Sequence, residues 1–190
     1  MRVIAGTARG RQLKSPPEET RPITDRVKEN LFNILGTDVI DANVLDLFAG
    51  AGSVGIEALS RGAKHATFVE FNDGALKTIR DNLTLTKLAN KATVLQANVY
   101  RYLKKPPQAP FDLIYVAPPQ YKEMWKETMK LLDARPQWLS DEGILIVQIH
   151  PVEFQELELK SFELHDERKY GSTLLCFYGK NTGGRQENAD

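Results

Sequence analysis

One cysteine in 190 residues rules out an internal disulfide, so packing and hydrogen bonding must hold this chain together. That cysteine, Cys176, lies in the apolar run Leu174-Leu175-Cys176-Phe177-Tyr178 and reads as a buried structural thiol rather than a nucleophile. Histidine is equally sparse. His65, His150 and His165 show no metal-ligand spacing, and no metal site is expected. No apolar run approaches the roughly 20 residues of a membrane span, and the N-terminal residues lack the basic, apolar and small-residue regions of a secretory signal. These absences set aside membrane, disulfide-framework and metal-centre classes and point to a reducing, cytoplasmic setting. What is present, 42% hydrophobic and 26% charged residues, suits one globular domain with a sizeable core and room for a small appendage.

Net charge is also absent, but its distribution is uneven. Residues 1–36 carry seven basic side chains (Arg2, Arg9, Arg11, Lys14, Arg21, Arg26, Lys28) against four acids (Glu18, Glu19, Asp25, Glu29). Arginine forks pair with phosphates and stack on unpaired bases. Any single arginine reads equally as a solvated surface group. Arg9 and Arg11 in a glycine-flanked turn, with Arg2, Arg21 and Arg26 nearby, form a candidate RNA-binding patch, and Gly6, Thr7 and Gly10 would permit close backbone approach to a phosphate.

The most informative stretch is Asp46-Leu-Phe-Ala-Gly-Ala-Gly-Ser-Val-Gly55. Gly50, Gly52 and Gly55 follow an apolar run (44–48) that reads as a strand and open a run (53–61) that reads as a helix. Glu70 closes the next apolar run. Strand, glycine turn, helix, strand and acid is the context that lifts this spacing above chance. The helix N-terminus presents unpaired N–H groups, and Glu70 can accept hydrogen bonds from a ribose. Asp46 within the strand would repel a pyrophosphate and suits a cationic group, which argues against nicotinamide and flavin cofactors. Here the chain resembles the class I S-adenosylmethionine-dependent methyltransferases. The resemblance implies a cofactor set of Asp46, Phe48, Ala49, Gly50, Gly52, Gly55, Glu70, Phe71, Asn98 and Val99. For Asn98 a plain strand-end turn reading stands beside an adenine contact.

Beyond Asn43, strands read at 44–48, 66–71, 92–97, 111–116, 143–149, 162–169 and 172–179, with helices at 53–61, 73–86, 99–104 and 121–133. This alternation predicts an α/β fold built on a mostly parallel sheet. Tyr170-Gly171 joins the last two strands without a helix, which predicts one antiparallel strand. Before this unit, 2–6 and 10–13 read as a hairpin, and 25–35 as a helix with Thr24 as N-cap and an apolar face of Val27, Leu31, Ile34 and Leu35. The expected divisions are a basic extension (1–36), a catalytic domain (37–180) and a disordered tail (181–190). The expected fold is thus a class I methyltransferase Rossmann-like seven-stranded sheet, last strand antiparallel, plus the N-terminal hairpin and helix.

The fourth strand runs into Ala117-Pro118-Pro119-Gln120-Tyr121. In a doubly wound sheet its end faces the ligand. Methyltransferases acting on the exocyclic amines of bases carry Asp/Asn-Pro-Pro-aromatic here. These five residues are therefore the candidate catalytic set, with Ala117 where the acid or amide would stand and Tyr121 one place late. Trp125 is the alternative stacking ring.

Residues 2–13, 20–35 and 44–63 together resemble the RsmD family of bacterial 16S rRNA guanine-N2 methyltransferases. Arg-Pro-Ile-Thr-Asp-Arg-Val-Lys-Glu (21–29) is the most specific part. The resemblance implies methyl transfer from S-adenosylmethionine to N2 of a guanine in small-subunit rRNA, on an assembling subunit. Ala117 motivates an alternative, a module that binds cofactor and RNA with weak or lost catalysis. A nicotinamide oxidoreductase and a DNA amino-methyltransferase are further alternatives. Asp46 and the Pro-Pro pair weigh against the first, and the missing target-recognition domain against the second.

Overall fold

The structure, a computed structural model, describes residues 1–16 and 22–181. Arg21 and, Asn181 apart, the tail expected at 181–190 lie outside the described residues. Seven strands form one sheet: β1 (Asn43–Leu47), β2 (His65–Glu70), β3 (Ala92–Gln96), β4 (Phe111–Val116), β5 (Leu139–Ile149), β6 (Phe162–Tyr170) and β7 (Thr173–Lys180). Their order is β3-β2-β1-β4-β5-β7-β6. All neighbours are parallel except those of β7, which runs antiparallel to both β5 and β6. The expected antiparallel strand is therefore last in the chain but sits inside the sheet, with β6 at the edge.

Each central strand alternates its side chains between two cores. Val44, Phe68, Leu113, Tyr115 and Ile146 face the helices α1 (Asp25–Leu35), α2 (Ser53–Ser60) and α3 (Asp73–Thr86). Leu45, Leu47, Val69, Ile114, Val116 and Val147 face α4 (Val99–Leu103) and α5 (Met124–Asp133). Thr24 Oγ1 accepts the Val27 N–H at 3.3 Å and starts α1, as expected. Its buried face differs by one position: Phe32 packs inward while Ile34 is 40% exposed. Helix α5 starts three residues later than predicted, because Tyr121 and Glu123 adopt left-handed backbone, with φ of 62° and 52°.

The N-terminal segment belongs to the same core. Val3, Ala8 and Leu13 pack with Val27, Leu31 and the α2 side chains. Its two arms pair as a short hairpin about one antiparallel bridge, Arg2 with Gln12, with the Leu13, Val3 and Gly10 N–H groups donating to the Met1, Arg11 and Val3 carbonyls. Beyond Val3 the first arm turns onto α2. The buried Glu57 carboxylate accepts the Ile4 N–H at 2.8 Å and the Ala5 N–H at 3.0 Å, which ties the arm to the helix. Ser60 holds the turn, accepting the Ala8 N–H and donating to the Ala5 carbonyl. Gly6 is required here, since a Cβ would fall 1.8 Å from the Ser60 carbonyl oxygen. Gly6 therefore serves docking onto α2, not approach to a phosphate.

Glu57 also meets the Arg61 Nε at 2.8 Å and the Lys28 ammonium at 3.5 Å, and Lys28 is fully buried. Burial lowers the Lys28 pKa, opposed by the charges of Glu57 and Asp25. Lys28 Nζ donates to the Arg2 carbonyl at 2.6 Å, closing the network. Removing one partner of such a pair strands the other charge. Glu57→Ala should destabilise the fold by about 3–5 kcal/mol in urea denaturation. A loss under about 1 kcal/mol would show that the network does not anchor the segment.

Candidate active site

The sheet order reverses direction between β1 and β4, and the crevice at the carboxyl ends of these strands is where open α/β sheets take ligands. A cleft of about 620 Å³ lies there. Its walls come from the β1–α2 turn (Phe48 to Ala51, Ser53, Val54), Glu70 and Asn72 after β2, and Ala117 to Lys122 after β4. Pro16, Pro22 and Ile23 of the N-terminal segment close one side. The two motifs far apart in sequence thus share one cavity.

The chain leaves β1 through Phe48 (φ 59°), Gly50 (φ 56°) and Gly52 (φ 74°), alternate left-handed residues that turn it into α2. The third glycine serves packing: a Cβ at Gly55 would stand 2.4 Å from Phe68 Cε1. Glu70 pins the turn, accepting the Gly50 N–H at 2.9 Å on one oxygen and the Phe71 and Asn72 N–H groups at 2.7 and 2.9 Å on the other. The oxygen that meets Gly50 keeps a lone pair for a further donor.

Asp46 differs from its sequence reading. It lines the cleft but is buried, and its carboxylate accepts the Gly55 N–H at 3.0 Å, clamping β1 to α2. Burial pushes its pKa up to about 8, the Gly55 N–H opposes this, and the Glu70 charge adds to it. Near neutral pH the group therefore carries a proton unless a cation draws it off. Without a neighbouring cation, burial disfavours its negative charge.

Among the other expected cofactor residues, Gly52 and Gly55 do not line the cleft. Phe71 is 71% exposed and lies outside the cleft wall, as do Asn98 and Val99. The Asn98 side chain caps α4, accepting the Arg101 N–H at 3.1 Å, which is the turn reading of that residue. Trp125 is buried and stacked on Phe154, so it offers no face to a ligand. Tyr121 is 61% exposed at the cleft rim.

Three features escaped the sequence reading. Ser53 Oγ is buried, lines the cleft and has no hydrogen-bond partner among the described residues. Tyr115, beside Asp46 in register, donates its hydroxyl to Gln148 on β5, and both line the floor. Asn82 on α3 accepts the Lys14 N–H and donates to the Lys14 and Ala51 carbonyls, lacing the N-terminal segment to the glycine turn. An orphan hydroxyl at a helix N-terminus, an acid at the end of β2 and an open glycine turn fit the polar adenosine cofactor expected from the sequence.

The basic patch is smaller than its composition. Arg2 pairs with Asp25, Lys14 with Asp81, and Lys28 is buried on Glu57. Arg9, Arg11 and Arg26 are exposed, with no ion-pair partner among the described residues. None of them lines the cleft. Thr7 bonds the Ser60 carbonyl at the end of α2 remote from Ser53, so the arginine turn stands about 12 Å, one eight-residue helix, from the glycine turn.

Residues 1–179 match the family model described as Conserved hypothetical protein 95. The chain is 34% identical to ribosomal RNA small subunit methyltransferase D of Escherichia coli, over 98% of this chain and 93% of that one. It is 38% identical to the Haemophilus influenzae protein of the same name, over 78% of each. The solved structure of Escherichia coli yhhF superimposes with a TM-score of 0.82 at 34% identity, covering 95% of this chain and 97% of its own.

The raised Asp46 pKa gives a signed prediction. An unfolded aspartate titrates near 3.9. Between about pH 4 and 8 the native protein holds a proton that the unfolded chain has released. The stability this group contributes is therefore full below about pH 4 and lost as pH rises to 8. Asp46→Asn keeps an acceptor for Gly55 and removes the titration. The parent should lose up to about 1.4 kcal/mol more per pH unit than Asp46→Asn between pH 5 and 8, measured by urea denaturation. Parallel pH profiles would mean that Asp46 is ionised in the fold.

Proposed function

This chain belongs to the Conserved hypothetical protein 95 family, the RsmD family that its sequence resembles, and from that premise we propose that it methylates the exocyclic N2 of a guanine in small-subunit (16S) rRNA. S-adenosylmethionine is the methyl donor. The observation that carries the reading is the single cleft uniting the glycine turn after β1 with Ala117 to Tyr121 after β4. The substrate we propose is rRNA within an assembling small subunit, and the setting is the cytoplasm.

When bound, the cofactor supplies an electrophilic methyl group on a sulfonium. The residues proposed to hold it are the glycine turn, Glu70 toward the ribose and Ser53 Oγ as a free hydroxyl partner, with Asp46 available to balance positive charge once its proton leaves. On the acceptor side, Pro118 and Pro119 fix φ and remove N–H donors. Carbonyls are then the backbone groups left to accept hydrogen bonds from the guanine amine and orient its lone pair. Tyr121 stacks on the base. Ala117 offers no side-chain acceptor, which slows transfer by what one charge-assisted hydrogen bond contributes, about 2–4 kcal/mol. Similarity to named methyltransferases over nearly the whole chain weighs against the lost-catalysis alternative.

Two measurements test this. Single-turnover transfer to unmethylated small subunits, read by nucleoside mass spectrometry, should yield N2-methylguanosine, and Ala117→Asn should hold or raise the rate. Transfer by Ala117→Asn but none by the parent would favour a binding module. Separately, neutralising Arg9, Arg11 and Arg26 should weaken RNA association and reduce its salt slope by about one for each phosphate that is no longer paired, with cofactor affinity unchanged. An unchanged salt slope would make these arginines a solvated surface.

A further inference from the structure

The acceptor side of the cleft depends on two loops that meet far from each other in sequence. One leaves β4 (117–123) and the other leaves β5 (150–155). Glu153 joins them. One carboxylate oxygen accepts the Tyr121 N–H at 2.8 Å, and the other accepts the His150 N–H at 3.2 Å. A second tie runs through Lys126, which donates to Glu123 at 2.7 Å and to Gln155 at 2.6 Å.

The junction sets a pair of rings, Tyr121 exposed and His150 half-buried. Tyr121 and His150 stand with centroids 5.6 Å apart at 40°. His150 Nδ1 accepts the Val152 N–H at 3.2 Å, which fixes the imidazole and leaves Nε2 as its other polar atom. Tyr121 sits in left-handed backbone, a conformation that a bulky L residue keeps only where its surroundings hold it. The Tyr121 N–H is the group that Glu153 holds. The loop therefore lacks the intrinsic preference to present this ring at the rim, and the partner loop supplies the restraint.

We infer that Glu153 is a positioning residue that locks Tyr121, with His150 beside it, into a two-ring platform for an unstacked purine of the RNA substrate. The inference rests on the methyl-transfer reading above and adds how the acceptor base is oriented. Glu153 contacts neither base nor cofactor. It acts by removing the freedom of Tyr121 before the base arrives, so its contribution falls in the rate of transfer and not in cofactor affinity.

The test is single-turnover methyl transfer to unmethylated small subunits by the full chain, with cofactor affinity measured by calorimetry. Glu153→Ala should slow transfer roughly tenfold. Glu153→Gln, which keeps a carbonyl acceptor, should recover part of that loss, and both should bind cofactor like the parent. In the Tyr121→Ala background, Glu153→Ala should cost nothing further, because its effect runs through that ring. Transfer at the parent rate by Glu153→Ala, or by Glu153→Gln where the alanine variant does not fold, overturns the inference. So do losses that multiply in the double variant, which would mean that Glu153 acts independently of Tyr121. No transfer by the parent overturns the methyl-transfer reading and this inference with it, whereas an active parent with unaffected Glu153 variants overturns this inference alone.

Discussion

Helix α2 has no face left for solvent, and the rest of the molecule is arranged around that constraint. All eight of its residues are buried. A helix so short contributes little stability by itself and must be held by its neighbours. Two buried acids do this. Asp46 takes the Gly55 N–H in the first turn, and Glu57 gathers two backbone N–H groups, a lysine and an arginine along the second. The first acid fixes the helix to β1 and so fixes the glycine turn. The second fixes the N-terminal segment, whose continuation reaches the cleft at Pro16, Pro22 and Ile23. The cavity is thus a by-product of how α2 is clamped: one end shapes the turn and the other recruits the wall.

Much of this was legible in the chain. The strands of the parallel core are apolar on both faces because each feeds two cores, and that makes runs such as 44–48 and 111–116 easy to find. Glycines, caps and the acid at 70 marked the turn because each residue type has a local reason to be there. The failures share a cause as well. Ile4 and Ala5 read as strand by propensity, but the acid that takes their N–H groups lies more than fifty positions away. Phe32 displaced Ile34 from the buried face because neighbours outside α1 choose the face. Asp46 lies beside the turn, but residue type alone says nothing of its burial or of the Gly55 N–H that it holds. Tyr115 with Gln148, and Glu153 with Tyr121, are pairs that come together only when β4 and β5 are side by side.

The same logic reinterprets the N-terminal charge. Seven basic residues against four acids reads as an open patch, yet part of that charge is structural. Lys28 is buried on Glu57, an acid it shares with Arg61 from outside this segment. Charges used in this way cannot also meet a phosphate. Arg9 and Arg11 sit about one helix length from the glycine turn and outside the cleft wall. Under the proposed function, separation of this kind suits a large polyanionic substrate, gripped along its backbone at one place and presented at another.

The Ala117 position then has a physical reading. Side-chain acceptors at this point of related motifs supply one hydrogen bond, but the frame that would present the acceptor base in the proposed reaction is backbone. Ala117 N–H reaches the Leu47 carbonyl at 3.5 Å, keeping the loop on β1, and the two prolines that follow have fixed φ and no donors. At the far end the loop is held in left-handed geometry by a carboxylate from the segment after β5. A side chain can be lost from the start of such a loop without moving its carbonyls or its ring. Losing either anchor would move all of them. The loop's geometry therefore depends less on the residue at 117 than on the hydrogen bonds that hold its two ends.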